Sequence, residues 1–109
     1  MRGEIWTMRD DAYASKARPV VIVQNDEVGG FDSVVLCLLT SYDSSNVPTR
    51  VRVEPSARNG LERTSWVMTE KIASVSRGML GMRIGVLEQG ALDEVSRQLA
   101  VVLALSDGL

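Results

Sequence analysis

Four consecutive β-branched residues, Val20, Val21, Ile22 and Val23, follow Pro19 and are stopped by Gln24, Asn25 and Asp26. Branching at Cβ restricts the side chain in a helix and suits the pleated surface of a sheet. A run with no polar residue also has no wet face, so it predicts a buried central strand. Gly29 and Gly30 mark a turn, and Val34 to Leu39 forms a second apolar run of strand length, ended by Thr40 and Ser41. Two neighbouring buried strands predict a curled sheet.

Shorter signals flank this pair. Glu4 to Met8 reads as a first strand, and the polar stretch Arg9 to Lys16 as a loop. From Arg50 to Glu54 polar and apolar residues alternate, which places Arg50, Arg52 and Glu54 on one face and Val51 and Val53 toward the core. Asn59-Gly60 is a turn signal, Ser65 to Thr69 and Ile72 to Val75 read as two short strands, and Arg83 to Val86 as a last one. Ser76 is placed to cap one helical turn ending at Gly81. The period then changes: Leu92, Val95, Leu99, Val102 and Leu105 recur at helical spacing, predicting an amphipathic helix over about Gly90 to Leu105. Glu88, Asp93 and Glu94 lie near the positive end of its dipole. Six or seven short strands with one terminal helix predict an α+β fold, a small SH3-like β-barrel or two-sheet domain.

With 109 residues and 45% hydrophobic content, one domain over residues 1–109 is expected. No apolar run is long enough to span a bilayer, and the N-terminus has no signal pattern, which predicts a cytoplasmic protein with no membrane partner. Cys37 sits inside an apolar run in a chain with no histidine to activate it, so it reads as a small buried hydrophobe. The net charge of −2 argues against a generally basic nucleic-acid binder, yet residues 50–83 hold seven basic and three acidic groups. That patch can attract phosphates locally; it can equally be an ordinary solvated face.

Arg2-Gly3-Glu4-Ile5-Trp6, then Arg18-Pro19-Val20-Val21-Ile22-Val23-Gln24-Asn25-Asp26, resembles the opening of the MazF/PemK/Kid-like toxins. The likeness continues through Leu39-Thr40-Ser41, Gly60-Leu61-Glu62-Arg63, Ser65-Trp66-Val67-Met68, Glu70, Leu80-Gly81, Ile84-Gly85 and the terminal helix. It implies a barrel-like α+β fold of the CcdB/PemK kind, a homodimer, and metal-independent, sequence-specific cleavage of single-stranded RNA that arrests translation and growth. It also implies a cognate antitoxin as inhibitor. The family's functional arginine falls on Arg18, its threonine on Thr40, and an acidic residue on Glu70. The chain departs from the family in a shorter segment between Trp6 and Arg18, in Lys71, Ala73 and Ser74 after Glu70, and in Met68 where the Kid-type branch has a catalytic arginine.

RNA carries its own nucleophile, the 2′-OH, so an enzyme with no histidine can cleave it by orienting that oxygen and stabilising the charged transition state. Arg18, planar and permanently charged, suits that stabilisation; its other reading is an ion pair with Asp10 or Asp11. Thr40 can bond a phosphate oxygen or the 2′-OH, or cap its own strand end. Glu70 is a candidate general base, or a salt-bridge partner of Arg52 or Lys71. Arg50, Arg52, Lys16, Trp6 and Ser41 are the candidate RNA contacts; Trp6 and Trp66 could stack on bases or fill the core. No cluster has metal-ligand spacing, and no cofactor is expected. The rival readings are a toxin of the same fold that poisons a protein such as DNA gyrase, and a non-catalytic RNA-binding module. An antitoxin's extended acidic, partly apolar tail would suit the same basic groove as RNA.

Overall fold

The computed structural model describes residues 1–10 and 14–105, with the side chains of 1–9 and 17–105. The strands are β1 (Glu4–Asp10), β2 (Ala14–Ile22), β3 (Ser33–Thr40), β4 (Val51–Val53), β5 (Ser65–Ser76) and β6 (Leu80–Val86), followed by helix α1 (Gln89–Leu103). They form one six-stranded sheet in the order β4-β5-β3-β2-β1-β6, and every pairing is antiparallel. The α+β expectation holds, with β4 and β6 left as the two edges.

Burial explains the Val20–Val23 run. Val21 and Val23 enter a cluster with Ile5, Cys37, Leu39 and Val67 that α1 covers through Leu92 and Val95. Val20 and Ile22 enter a second cluster with Met8, Val34 and Leu36, closed by Ala73, Val75 and Met79. Successive residues of this run therefore feed opposite cores, and a polar residue at any of these places would face a dry interior. Cys37 is fully buried and its thiol is pushed up to about 12 by desolvation, so it packs and does not react.

Three sequence expectations are corrected. Arg9 to Lys16 is not all loop: β1 runs to Asp10 and β2 starts at Ala14, with Asp10 opposite Ala14 beyond a register shift after Met8. Backbone pairing in a hairpin needs no apolar side chains, so the hydrophobic pattern missed it. Ser65 to Thr69 and Ile72 to Val75 are one strand. Its register jumps from Leu38↔Met68 to Cys37↔Ile72, so Thr69, Glu70 and Lys71 form a bulge that bends β5 without ending it. The helix stops at Leu103, where Ala104 takes a left-handed conformation (φ 53°), and Leu105 is exposed. The Ser76 turn forms as a 3₁₀ turn over Arg77–Met79, with Ser76 Oγ accepting from Gly78 N.

A polar knot joins the 54–61 segment to the start of α1. Asn59 is fully buried: its Oδ1 accepts from Ser56 N and Leu61 N, and its Nδ2 donates to Glu54 O and Glu88 Oε1. Ser56 Oγ donates to Glu88 Oε2 at 2.6 Å. Gly60, at φ 70°, passes so close to β6 that a Cβ there would lie 2.0 Å from Ile84 O, so the Asn59-Gly60 turn admits no side chain at its second residue.

Candidate active-site cleft

The site begins with one missing hydrogen-bond donor. Ile22 O accepts from Gly3 N on the β1 side, whereas Val23 N donates to Val35 O on the β3 side. Backbone polar groups alternate along a strand, so the odd-numbered residues of β2 turn theirs toward β3. The nitrogen of Pro19 therefore faces β3 and carries no proton. The β2–β3 ladder runs through Ile22↔Leu36, Val21↔Cys37 and Val20↔Leu38 and stops there. Beyond it β3 stays with β5, through Leu39↔Val67 and Thr40↔Trp66, while β2 stays with β1, through Thr7↔Pro19 and Met8↔Arg18. The strands part, and the gap is a cleft of about 620 Å³.

One wall is Ala17, Arg18 and Pro19; the opposite wall is Leu39 to Tyr42; the 60–63 segment closes a third side. Continuing the register would set Arg18 opposite Thr40, on the face shared by Val20, Ile22, Leu36 and Leu38. The structure thus brings Arg18, Thr40 and Ser41 together. Arg18 is exposed, and among the described residues no carboxylate pairs with it; the side chains of Asp10 and Asp11, the partners its other reading names, lie outside the described part. Thr40 Oγ1 accepts from Tyr42 N at 3.1 Å, the strand-end cap expected of such a threonine, and its hydroxyl proton remains available to donate.

The sequence reading did not single out Arg63, although it stands in the cleft wall four residues after the Asn59 turn. No carboxylate pairs with it among the described residues. The knot around Asn59 and the close packing of Gly60 on β6 fix the segment that carries it. Two guanidinium groups therefore line one cleft in which Glu62 is the single carboxylate among the described lining residues, a setting that favours an anion.

The other candidates lie elsewhere. Glu70 sits in the β5 bulge, outside the cleft lining, and its carboxylate takes Arg50 Nε at 3.0 Å and Arg50 Nη2. Those hydrogen bonds hold the Glu70 carboxyl below its ordinary range, the opposite of the upward shift that a general base working near neutrality needs. Arg50 also donates from Nη1 to Ser44 Oγ at 3.0 Å, so it braces the 42–49 loop. Arg52 donates to Glu54 Oε1 at 2.8 Å and lies 5.9 Å over the Trp66 ring. The expected stripe of Arg50 and Arg52 is thus neutralised within the molecule and stands apart from the cleft. Trp6 is half-buried against the second core and donates from Nε1 to Glu4 Oε1, and Trp66 is buried. Lys16 lies in β2, but its side chain is outside the described part. Among the described residues, no group of three or more His, Cys, Asp or Glu side chains is placed to hold a metal ion, and no helix is long and apolar enough to cross a membrane.

A family model for the PemK-like, MazF-like toxin of type II toxin-antitoxin systems matches residues 1–103. The probable endoribonuclease MazF of Mycolicibacterium smegmatis is 34% identical over 106 residues, spanning 96% of this chain and 97% of that protein. Endoribonuclease EndoA of Bacillus subtilis is 30% identical over 92 residues, or 83% of this chain and 78% of that one. Among solved structures, an endoribonuclease in complex with its cognate antitoxin, from a mycobacterial species, superimposes with a TM-score of 0.83 at 27% identity, covering 97% of this chain and 96% of that chain. A match across nearly the whole chain, with the same sheet and terminal helix, makes this protein a member of the PemK-like, MazF-like toxins of type II toxin-antitoxin systems.

Proposed function

We propose that the chain is the endoribonuclease toxin of such a pair and cuts single-stranded RNA in the cleft between β2 and β3. The observation that carries this reading is the parting of the strands at Pro19, which sets Arg18 beside Thr40 in an anion-attracting gap. The relatives named endoribonucleases support it. In the reaction, the 2′-oxygen attacks the adjacent phosphorus and the 5′-oxygen leaves, so one fragment ends in a 2′,3′-cyclic phosphate and the other begins with a 5′-hydroxyl. Arg18 holds the phosphate oxygens as charge builds on them, and Thr40 with Ser41 orients the phosphate through hydroxyl donors. Glu70 acts at one remove, through Arg50. Metal ions are not required for this chemistry. The working protein is a single-domain cytoplasmic homodimer, and its antitoxin occupies the RNA cleft with an extended, acidic and partly apolar tail.

Pure protein incubated with single-stranded RNA in EDTA should cut it and leave those ends. A 2′-deoxyribose at the cut site should stop the reaction, because the nucleophile is gone. Arg18→Ala should stay folded by circular dichroism and lose about a hundredfold in rate. Cutting of the 2′-deoxy substrate would mean that water is the nucleophile, and near-normal cutting by Arg18→Ala would remove that residue from the mechanism.

A further inference from the structure

Tyr42 is 84% exposed, the most open of the large apolar side chains among the described residues, and it stands on the wall of the cleft. An aromatic ring left in water on a floppy loop would be unremarkable surface. The backbone beneath this one is fastened at two points. Tyr42 N donates to Thr40 Oγ1 at 3.1 Å, and Tyr42 O accepts from Ser44 Oγ at 3.0 Å. Ser44 is only 2% exposed, and its Oγ accepts in turn from Arg50 Nη1, whose guanidinium is held by Glu70. A chain of side chains from the β5 bulge to the cleft wall therefore presents a tyrosine ring to solvent from a fixed base.

The other described aromatics cannot do the same. Trp66 is buried under Arg52, Trp6 is half-buried and tied to Glu4, and Phe31 lies outside the cleft lining. Among the described residues the cleft thus holds cations for a phosphate, a hydroxyl that also anchors the aromatic residue's backbone, and one open ring. That combination matches a nucleotide: charge for the phosphate and a flat surface for the base. A tyrosine ring has only two side-chain torsions to fix, so ordering it on a ligand costs little entropy.

We propose that Tyr42 is the stacking platform for a base next to the cleaved phosphate, and that Glu70, Arg50 and Ser44 are positioning residues that hold this platform in place. The inference rests on the ribonuclease reading above. Because Thr40 Oγ1 is bonded to the Tyr42 backbone, seating the base and gripping the phosphate are linked, and the identity of the stacked base contributes to where RNA is cut.

The test uses a short RNA with 2-aminopurine beside the cut site, in a cleavable form and in a form blocked by 2′-deoxyribose at that site. Wild type and Tyr42→Phe should quench 2-aminopurine fluorescence on binding and cut with similar KM. Tyr42→Ala should lose the quenching and raise KM by about 5- to 150-fold, the range found when a base loses its aromatic partner. A blocked RNA with the base removed at that position should bind more weakly to wild type but not to Tyr42→Ala. Glu70→Gln should raise KM in the wild-type background and have little effect in Tyr42→Ala. If Tyr42→Ala keeps normal KM and quenching while wild type cuts RNA, the platform is overturned and the ribonuclease stands. If Tyr42→Phe loses as much as Tyr42→Ala, the hydroxyl and not the ring is the contact, and stacking is overturned. If wild type binds with Tyr42-dependent quenching and never cuts, the ribonuclease reading falls and takes the placement beside a cleaved phosphate with it, while base stacking on Tyr42 stands.

Discussion

Single residues divide by whether their partners are near in sequence. Thr40 bonds the backbone two residues on, which a strand-ending threonine leads one to expect. Glu70 and Arg50 are twenty positions apart, and nothing in either segment says that they meet. Arg63 had a similar obscurity, since one arginine after a turn looks like any solvated charge until Gly60 is found wedged against Ile84. Its position in the same cleft as Arg18 gives it a measurable share in holding RNA. Arg63→Ala should lower kcat/KM by about ten- to a hundredfold, the worth of a hydrogen bond to a charged group. The slope of log affinity against log salt should also fall by about 0.7, as expected for one lost phosphate contact on a single strand. An unchanged salt slope with intact folding would place Arg63 outside the RNA path.

Elements were legible where burial made them uniform. The Val20–Ile22 stretch of β2 and the apolar run of β3 announced themselves because both faces are dry there, and α1 because Leu92, Val95 and Leu99 keep helical spacing over the core. The β1–β2 hairpin end and the unity of β5 were not legible, because backbone pairing and a bulge leave no hydrophobic signature. The start of α1 was only partly so. Glu88 lies at the helix N-terminus as expected of an acidic residue, but its side chain makes no capping bond and instead joins Ser56 and Asn59. The hydrogen bond from Ser56, with that from Asn59, holds the Glu88 carboxyl below its ordinary value despite some opposing desolvation. A carboxyl depressed in the folded state gives stability that is complete above its unfolded pKa and is lost as pH falls through the folded one. Urea midpoints should therefore drop on acidification below about pH 4, and Glu88→Gln should show a smaller drop from a lower starting midpoint. An equal drop in both proteins would assign the acid sensitivity to other carboxylates.

At the scale of the molecule, the sheet and the cleft are one decision, taken where the β2–β3 ladder ends. Arg18 and Thr40 were named from a family likeness, and the reason they share a cleft became visible only in the register around Pro19. A proline before a strand-like run reads as a strand opener, which hides its true place inside β2. Replacing it with valine restores a donor facing the Leu39 carbonyl. One new hydrogen bond is worth about 1 kcal/mol net, and the unfolded chain regains freedom worth about 0.4–1 kcal/mol when a proline is removed. The two nearly cancel, so Pro19→Val should melt within a few degrees of wild type. Its amide at position 19 should nevertheless resist hydrogen exchange, and RNA cleavage should fall as the gap zips shut. Rapid exchange at that amide with full activity would show that the seam stays open for another reason. A laboratory ranking variants by melting temperature would pass this one as silent, and a hunt for inactive yet perfectly folded forms of the protein should begin at that seam.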